Sequence, residues 1–395
     1  MILRHRRVVF GVSSSPFILG AIIHKHLNDL IHQTGSHKFT TSIILQLLQS
    51  FYVDNSVTSV NTRDQLIQFM TESTAMMKLA SFDLRGWEYN GDKTLETQTA
   101  VLGVTWDKID DTLSLNIPAL NQFREAKVTK RNILALAHRV FDPLGFVCPA
   151  VLLPRLLLRE TWNEKLNWDD DVPYESRQKF LLWVDDLINL KKIRIPRCFL
   201  GEIEENSKIS LHTFCDASSV AYATVVYIRV ESTSGVKVYF VQAKNRIAPV
   251  KREKSNTRIS IPRLELLAAV IGVRLTIGIL DSLDLGKVDI YYWSDSSTVL
   301  AWIQRNNNWG TFVFNRVKEI KQFTSSSQWH HIPGDLNPAD LPSRWWEGPR
   351  WLQECAENWP STEVKYDETE IFEEIKRGTI KKRDRQCHFT NVDQP

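Results

Sequence analysis

The stretch that most constrains this chain is ISLHTFCD, residues 209–216. Polar and apolar residues alternate along it, which is typical of a strand with one buried face, and the run ends on the carboxylate of Asp216. The small residues of 217–219 then predict a turn. Two further runs, AYATVVYIRV and VKVYFVQAK, predict that this strand begins an antiparallel meander.

A second acid lies in the apolar run IPRLELLAAVIGVRLTIGIL, which predicts a helix with a proline in its first turn. At about 100° per residue, Arg263 and Arg274 share one face of this helix. Glu265 lies about 200° from Arg263 and should therefore point at the sheet. A carboxylate on the buried side of a helix needs a hydrogen-bonding or cationic partner.

Two more acids stand where predicted elements end or begin. Asp295 ends the strand-like run VDIYYWSD, so Asp216 and Asp295 both lie at strand ends, where α/β folds place ligands. Asp340 follows Asn337, a predicted helix cap, and Pro338, which suits a first helical position.

Each acid also has an ordinary structural explanation. Asp216 could form an Asx turn, and Asp295 could cap a helix. Asp340 could interact with a helix dipole, and Glu265 could belong to a buried salt bridge. Considered together, the four acids at the ends and faces of predicted elements favour one shared site.

Three motifs near the start resemble a reverse transcriptase. FGVSSSPF is similar to a loop and helix of the palm, FYVDN to the palm hairpin that normally carries two aspartates, and LRGWEYN to the primer grip. The sequence most resembles the BEL/Pao class of long-terminal-repeat retrotransposons, over residues 8–345. The resemblance implies a fragment of a retrotransposon polyprotein.

The polymerase motif, Tyr52, Val53, Asp54 and Asn55, departs from the family pattern. Asn55 stands where the family carries a second aspartate, and an amide cannot supply the negative charge that two-metal polymerisation needs. We therefore expect no reverse transcriptase activity. An ordinary Asx turn in a hairpin is the alternative interpretation of this motif.

The order of the four acids, with HIPGDLNPAD before the last, resembles retroelement ribonuclease H. The resemblance implies that Asp216, Glu265, Asp295 and Asp340 are catalytic carboxylates that bind two Mg²⁺ or Mn²⁺ ions. It also implies a mobile histidine, for which His331 is preferred to His330. The implied reaction is hydrolysis of the RNA strand of an RNA–DNA hybrid.

The balance of 49 basic against 46 acidic residues gives a formal charge of only +3, so nucleic-acid binding must be argued from local clusters. The predicted loop NRIAPVKREKSNTRIS supplies one. Its candidate phosphate contacts are Lys244, Arg246, Lys251, Arg252 and Arg258, and a solvated charged loop is the alternative.

The N-terminal apolar run FILGAII is too short for a membrane span of about 20 residues, and serines and a proline precede it. Five scattered cysteines without a CxxC pair indicate free thiols. We therefore expect a protein of the cytoplasm or of virus-like particles, without a signal peptide, membrane contact or small-molecule cofactor. Other parts of the polyprotein are expected partners.

These observations predict an α/β and α+β multidomain chain. Residues 1–118 are expected to form a partial palm and the start of a thumb, and residues 119–203 a helical thumb and connection. Residues 204–345 should form a ribonuclease H-like domain, a mixed five-stranded sheet with flanking helices. Residues 346–395 are expected to be a charged tail or linker towards an integrase. The alternative function is a catalytically silent or domesticated remnant that binds nucleic acid.

Overall fold

A computed structural model of the chain shows two compact units, residues 1–92 and residues 93–395. The structure describes residues 12–32, 39–92, 96–201, 204, 206–249, 259–283, 285–340, 346–361 and 364–377. None of the described helices is long and apolar enough to cross a membrane. The four described cysteines, Cys148, Cys198, Cys215 and Cys355, are free thiols.

The first unit packs three helices and a short hairpin around a small apolar core. Its elements are α1 (Ser15–His32), α2 (Thr41–Ser50), β1 (Phe51–Tyr52), β2 (Asn55–Ser56) and α3 (Arg63–Leu79). The predicted hairpin is confirmed, because Tyr52 pairs with Asn55 across its turn. Val53 adopts a φ of 59° at this turn, and Asp54 is exposed at the tip.

The second unit begins with a small antiparallel sheet and a helical block. The sheet contains β3 (Gln98–Val101), β4 (Val104–Asp107), β5 (Thr112–Leu115) and β6 (Ile195–Pro196). The helices are α4 (Asn121–Glu125), α5 (Lys130–Arg139), α6 (Cys148–Asn163) and α7 (Tyr174–Leu190). Thr129 caps α5, since its side chain accepts the backbone N–H of Asn132.

A five-stranded mixed sheet follows, which confirms the predicted sheet. Its strands are β7 (Lys208–Ala217), β8 (Ala221–Ser232), β9 (Gly235–Ile247), β10 (Asp289–Ser294) and β11 (Trp329–His331). Their order is β11-β10-β7-β8-β9. The first three strands in the chain form the predicted antiparallel meander, and β10 runs parallel to both β7 and β11.

Helices cover one face of this sheet, and the helical block covers the other. The first group is α8 (Ile261–Ser282), α9 (Ser297–Gln304), α10 (Thr311–Phe323) and α11 (residues 368–377). On the opposite face, Phe214, Tyr227 and Trp293 share a hydrophobic core with α5, α6 and α7. The helical block and the sheet, which were predicted as two domains divided at residue 204, therefore share one core.

The DPLGF loop joins the helical block to the edge of the sheet. The Asp142 carboxylate accepts the backbone N–H groups of residues 145–147 at 2.8–3.0 Å. This holds the loop so that Ala243 of β9 donates its backbone N–H to Leu144 at 2.8 Å. Gly145 has a φ of +83°, and an added Cβ would lie 2.0 Å from the Ala243 carbonyl oxygen. Only glycine fits this position.

The described residues after 345 pack on the sheet domain. Trp351 and Leu352 are buried against the core shared with the helical block, and Ile371 of α11 is buried beside α8. Glu374 is fully buried and forms an ion pair with Arg263. At least one charge of this region, that of Glu374, is therefore paired inside the protein and does not face solvent.

His212 lies in the middle of an aromatic cluster on the side of the helical block. It stacks on Tyr291 with ring centroids 4.8 Å apart, and Trp293 and Trp359 lie around it. The indole N–H of Trp293 donates to His212 Nδ1 at 3.2 Å. Since an indole can only donate, Nε2 carries the proton and donates to Ser210 Oγ at 2.9 Å.

Replacing His212 with phenylalanine should remove part of the pH dependence of folding stability. Burial, followed by the charge of Arg229, lowers the pKa of His212 well below its ordinary value of about 6.5. The imidazole is therefore neutral in the folded state, whereas the unfolded chain binds a proton there as the pH falls below about 6.5. In urea unfolding of the native sequence, the free energy of unfolding should therefore decrease as the pH falls below about 6.5. His212 should contribute up to about 1.4 kcal/mol per pH unit to this decrease.

The matched control is His138→Asn, because His138 is exposed on α5. It should keep the pH slope of the native sequence, while His212→Phe gives a shallower slope below about pH 6.5. The phenylalanine variant should also be less stable above that pH, since two buried hydrogen bonds are lost. Identical slopes for all three proteins would contradict a neutral, buried His212.

Candidate metal centre

Three of the predicted acids meet at one end of the five-stranded sheet. Oxygen atoms of Asp216, Glu265 and Asp295 all lie within 4.8 Å of one another. The strand register explains the two aspartates: Cys215 of β7 is paired with Ser294 of β10, so the acid that follows each of them lies beside the other.

The third acid reaches this point because α8 packs directly against the sheet. Thr224 donates its hydroxyl to the Ala268 carbonyl at 2.8 Å, and the hydroxyls of Thr213 and Thr276 are 2.6 Å apart. Between these contacts, a Cβ on Gly272 would lie 2.8 Å from Cys215 Sγ. Residues 265, 268, 272 and 276 share one face of a helix, so the contacts that dock α8 also direct Glu265 at the strand ends.

The cluster is electrostatically unfavourable when its acids are all ionised. Burial, followed by the charges of Asp295 and Asp340, raises the pKa of Asp216 to about 6. Burial also raises the pKa of Glu265 to about 7, although a hydrogen bond from Ser296 opposes the shift. The pKa of Asp295 is raised by burial too. A bound cation would offset this repulsion and keep the carboxylates ionised.

Two oxygens of the cluster are left without a protein donor. Within the described residues, Glu265 Oε2 and Asp295 Oδ1 are buried and accept no hydrogen bond. A buried acceptor without a partner costs about 1–3 kcal/mol. Hard divalent cations such as Mg²⁺ prefer carboxylate oxygen ligands, so the three acids fit a divalent metal ion.

Asp340 lies near this group but outside it. Its side chain is exposed, and it is absent from the set of oxygens within 4.8 Å, yet its charge raises the pKa of both Asp216 and Asp295. Asn337 holds the segment in place, since its amide donates to the Cys215 carbonyl at 3.1 Å and accepts the Ala339 N–H at 3.1 Å. The segment forms a turn through Asp340, and the rest of the predicted helix lies outside the described residues.

The two histidines of β11 face opposite sides of the sheet. His330 packs on the rings of Trp293 and Tyr291, with centroids 5.1 and 5.6 Å away, and burial lowers its pKa. His331 is in register with Ser294, and its charge lowers the pKa of Asp295. Of the pair that the sequence left open, His331 is the one beside the acids.

The other predicted residues are distributed as follows. Lys244 and Arg246 are exposed on β9, which continues to Ile247, so the expected loop begins later than predicted. Lys251, Arg252 and Arg258 lie outside the described residues. The polymerase motif of Tyr52–Asn55 belongs to the first unit, and in the described part of the chain Asp54 joins no group of acids that could hold a metal.

Some residues around the acids were not identified from the sequence. The hydroxyl of Ser296 both caps α9 and contacts Glu265. A Cβ on Gly334 would lie 3.1 Å from Asp295 Oδ2, so this glycine leaves space beside the carboxylate. Nothing in the sequence linked Gly334 to Asp295.

Comparison with known families gives a match for one segment of the chain. Residues 129–296 match the family model of the Pao retrotransposon-like RNaseH-like domain. This segment is therefore similar to that Pao retrotransposon-like family. The predicted resemblance to a BEL/Pao-type retrotransposon is therefore confirmed for the Pao-like segment, and so is the ribonuclease H-like fold class of its sheet.

The limits of the Pao-like segment are informative. It begins at Thr129, the cap of α5, and therefore includes most of the helical block as well as β7 to β10. It contains Asp216, Glu265 and Asp295, and it ends before β11 and Asp340. The family match thus covers the three acids that converge.

Solved structures with distant similarity to this chain include one viral polymerase. The foamy viral protease-reverse transcriptase in complex with dsDNA is 13% identical over 82% of this chain, with a TM-score of 0.20. The chain spans 60% of that protein's length. No curated protein matches the sequence significantly.

Replacing Gly272 with alanine should destabilise the protein by about 1–3 kcal/mol, because the new methyl group would overlap Cys215 and Thr213. Gly278→Ala is the matched control in the same helix. No atom lies within 4 Å of its added Cβ, and the residue is exposed, so alanine should stabilise by about 1 kcal/mol through helix propensity. Urea unfolding measures both changes. Equal gains would show that α8 does not approach the sheet this closely.

Asp216→Asn should raise the thermal unfolding midpoint when divalent cations are removed with a chelator. At about pH 8 the Asp216 carboxylate is ionised above its raised pKa of about 6, which costs folding free energy that a neutral amide avoids. Added Mg²⁺ should stabilise the native sequence, by about 2.7 kcal/mol at a hundredfold excess over Kd, and the variant much less. Asp281→Asn removes an exposed acid at the far end of α8 and should keep the Mg²⁺ shift. An undiminished Mg²⁺ shift in Asp216→Asn would place the ion elsewhere.

Proposed function

We propose that this protein is a nuclease that hydrolyses the RNA strand of RNA–DNA hybrids. The observation that carries the proposal is the convergence of Asp216, Glu265 and Asp295, three acids far apart in the chain whose oxygens lie within 4.8 Å of one another. The Pao retrotransposon-like RNaseH-like match over the same residues supports the reaction class.

We propose Mg²⁺, or Mn²⁺ in its place, as a pair of ions held by these acids together with Asp340. When bound, such ions activate a water molecule and stabilise the charge on the leaving oxygen. Asp216, Glu265 and Asp295 would supply the inner oxygens, since two of these atoms lack any other partner among the described residues. Asp340, which is exposed, would close the open side.

The neighbouring residues position these acids. The amide of Asn337 ties the turn of Asp340 to the strand of Asp216, and Ser296 orients Glu265. His331 lies beside Asp295, where an imidazole can exchange a proton with the product as it departs.

The substrate is inferred from the chemistry that the surface offers. An enzyme that must accept many sequences reads backbone shape and 2′-hydroxyl groups without contacting base edges. Lys244 and Arg246 are exposed on β9 and are suited to phosphate oxygens. We extend this role to Lys251, Arg252 and Arg258 of the adjoining segment on the basis of sequence alone.

We also propose roles for the other parts of the chain. Residues 1–118 would be a partial palm and the start of a thumb, and residues 119–203 the helical connection to the nuclease of residues 204–345. Asn55 removes a carboxylate from the polymerase motif, so we propose no DNA synthesis by the chain. The protein would act in the cytoplasm or in virus-like particles, with other parts of the polyprotein as partners.

The purified full chain should cleave labelled RNA in an RNA–DNA hybrid when Mg²⁺ is present, leaving 5′-phosphate and 3′-hydroxyl ends. Asp216→Asn and Glu265→Gln should each lower the rate by two orders of magnitude or more, because the charge that holds the cations is reduced. Asp281→Asn, on the same helix as Glu265, should cleave like the native sequence. The readout is the product ladder on a denaturing gel.

Two outcomes would count against this proposal. Cleavage by the Asp216 and Glu265 variants at the native rate would identify a contaminating nuclease. Hybrid binding without cleavage by any variant would favour the alternative, a catalytically silent nucleic-acid-binding remnant.

A further inference from the structure

Residues 366–377, which include α11, join the start of α8 to the end of α9, and we call them the clasp. At α8, Ser260 donates its hydroxyl to a carboxylate oxygen of Glu370 at 3.1 Å. At α9, Tyr366 donates its hydroxyl to the side-chain oxygen of Gln304 at 3.0 Å. The clasp lies after the end of the Pao-like segment.

Ion pairs strengthen both attachments of the clasp. Arg263, in the first turn of α8, pairs with Glu374, which is fully buried. Arg305, at the end of α9, donates to the two carboxylate oxygens of Glu368 at 2.7 and 3.0 Å. Between α9 and α10, the backbone N–H of Gly310 donates to the Glu374 carbonyl at 3.1 Å. Each of the two helix ends is therefore held by a charged pair as well as by a hydrogen bond.

The pair of Arg263 and Glu374 is better suited to fixing a geometry than to adding stability. Glu374 Oε1 accepts from both Arg263 and Arg377, whereas Glu374 Oε2 is buried without a hydrogen-bond donor among the described residues. Removing two charges from water costs about as much free energy as their attraction returns. Such a pair nevertheless favours one arrangement of its helices, because any displacement leaves a buried charge uncompensated.

Ser260 shows that the first turn of α8 depends on the clasp. It is the residue before α8, where a serine hydroxyl commonly accepts a backbone N–H of the first turn. Its hydroxyl makes no such bond and donates to Glu370. The carboxylate of Glu370 therefore lies near the positive end of the helix dipole, which favours the start of the helix at this position.

The clasp is connected to the candidate metal centre through the two helices that it joins. Glu265 follows Arg263 by two residues in α8, and its carboxylate is hydrogen-bonded to Ser296 at the start of α9. The start and the end of α9 are about 12 Å apart along one short helix. Holding the end of α9 against the start of α8 therefore also holds Ser296 against Glu265.

We propose that the clasp positions the metal centre, with Glu374 as its principal positioning residue. The inference rests on the proposed function, since it requires that Asp216, Glu265 and Asp295 hold divalent cations. Glu374 is not one of the acids whose oxygens converge, so it acts through Arg263 and α8. The clasp sets the distance from Glu265 to the two aspartates and thereby the affinity of the centre for its cations.

The test measures cation binding separately from cleavage. Mn²⁺ is titrated into the purified full chain, and the free ion is measured by its electron paramagnetic resonance signal. Glu374→Ala should raise the Kd for Mn²⁺ about tenfold, because Glu265 is no longer held against the aspartates. Glu374→Gln keeps an oxygen that can accept from Arg263, so its Kd should lie between those of the native sequence and the alanine variant.

Ile279→Ala is the matched control for a loss of stability. Ile279 is buried on the same helix, about four turns beyond Glu265, and belongs to a different core cluster. This variant should lower the thermal unfolding midpoint and keep the native Kd for Mn²⁺. Amide hydrogen exchange locates each change, since exchange should be faster at the start of α8 in Glu374→Ala and at its end in Ile279→Ala.

The outcomes separate this inference from the function on which it rests. If Glu374→Ala keeps the native Kd, or if Ile279→Ala raises the Kd equally, the clasp has a structural role only, even where the native sequence cleaves the hybrid. If the Glu374 variants bind Mn²⁺ more weakly but the native sequence does not cleave, the inference stands and the nuclease proposal falls. A native sequence that binds no Mn²⁺ would overturn both.

Discussion

The structure depends on bringing three mutually repelling carboxylates together, and the close packing of α8 against the sheet makes this possible. The contacts at Gly272, Thr224 and Thr276 place the helix backbone against β7 and β8, and Glu265 follows from the same helical face. Burial raises the pKa values of Asp216 and Glu265, so the folded chain tolerates the cluster at a cost. The surrounding core must be stable enough to bear that cost.

Much of this arrangement could be predicted from the sequence because it follows local periodicity. Alternation placed Asp216 at the end of a strand that the structure extends from Lys208 to Ala217, and the helical angle from Arg263 directed Glu265 to the sheet. The strand ending beside Asp295 was likewise evident from VDIYYWSD. The convergence itself came from a family resemblance, since no local pattern encodes which strand lies beside which.

What the sequence did not predict depends on contacts between distant segments. The docking of Leu144 on Ala243 and the burial of Glu374 beside Arg263 each join residues about a hundred positions apart. The sequence predicted a charged tail or linker after residue 345, and composition alone does not distinguish a charge facing water from one that is paired in a core, as Glu374 is. Similarly, Arg246, Arg274 and Arg316 stand on separate elements and line one cavity only after the chain folds.

The core shared by the helical block and the sheet has a consequence for recombination between related sequences. Phe214, Tyr227 and Trp293 of the sheet pack with α5, α6 and α7, and the Pao-like segment spans both parts. A recombination breakpoint between residues 190 and 208 would join two halves of a core that had not been selected together. Exchange between related Pao-like segments should therefore transfer the helices and the sheet together.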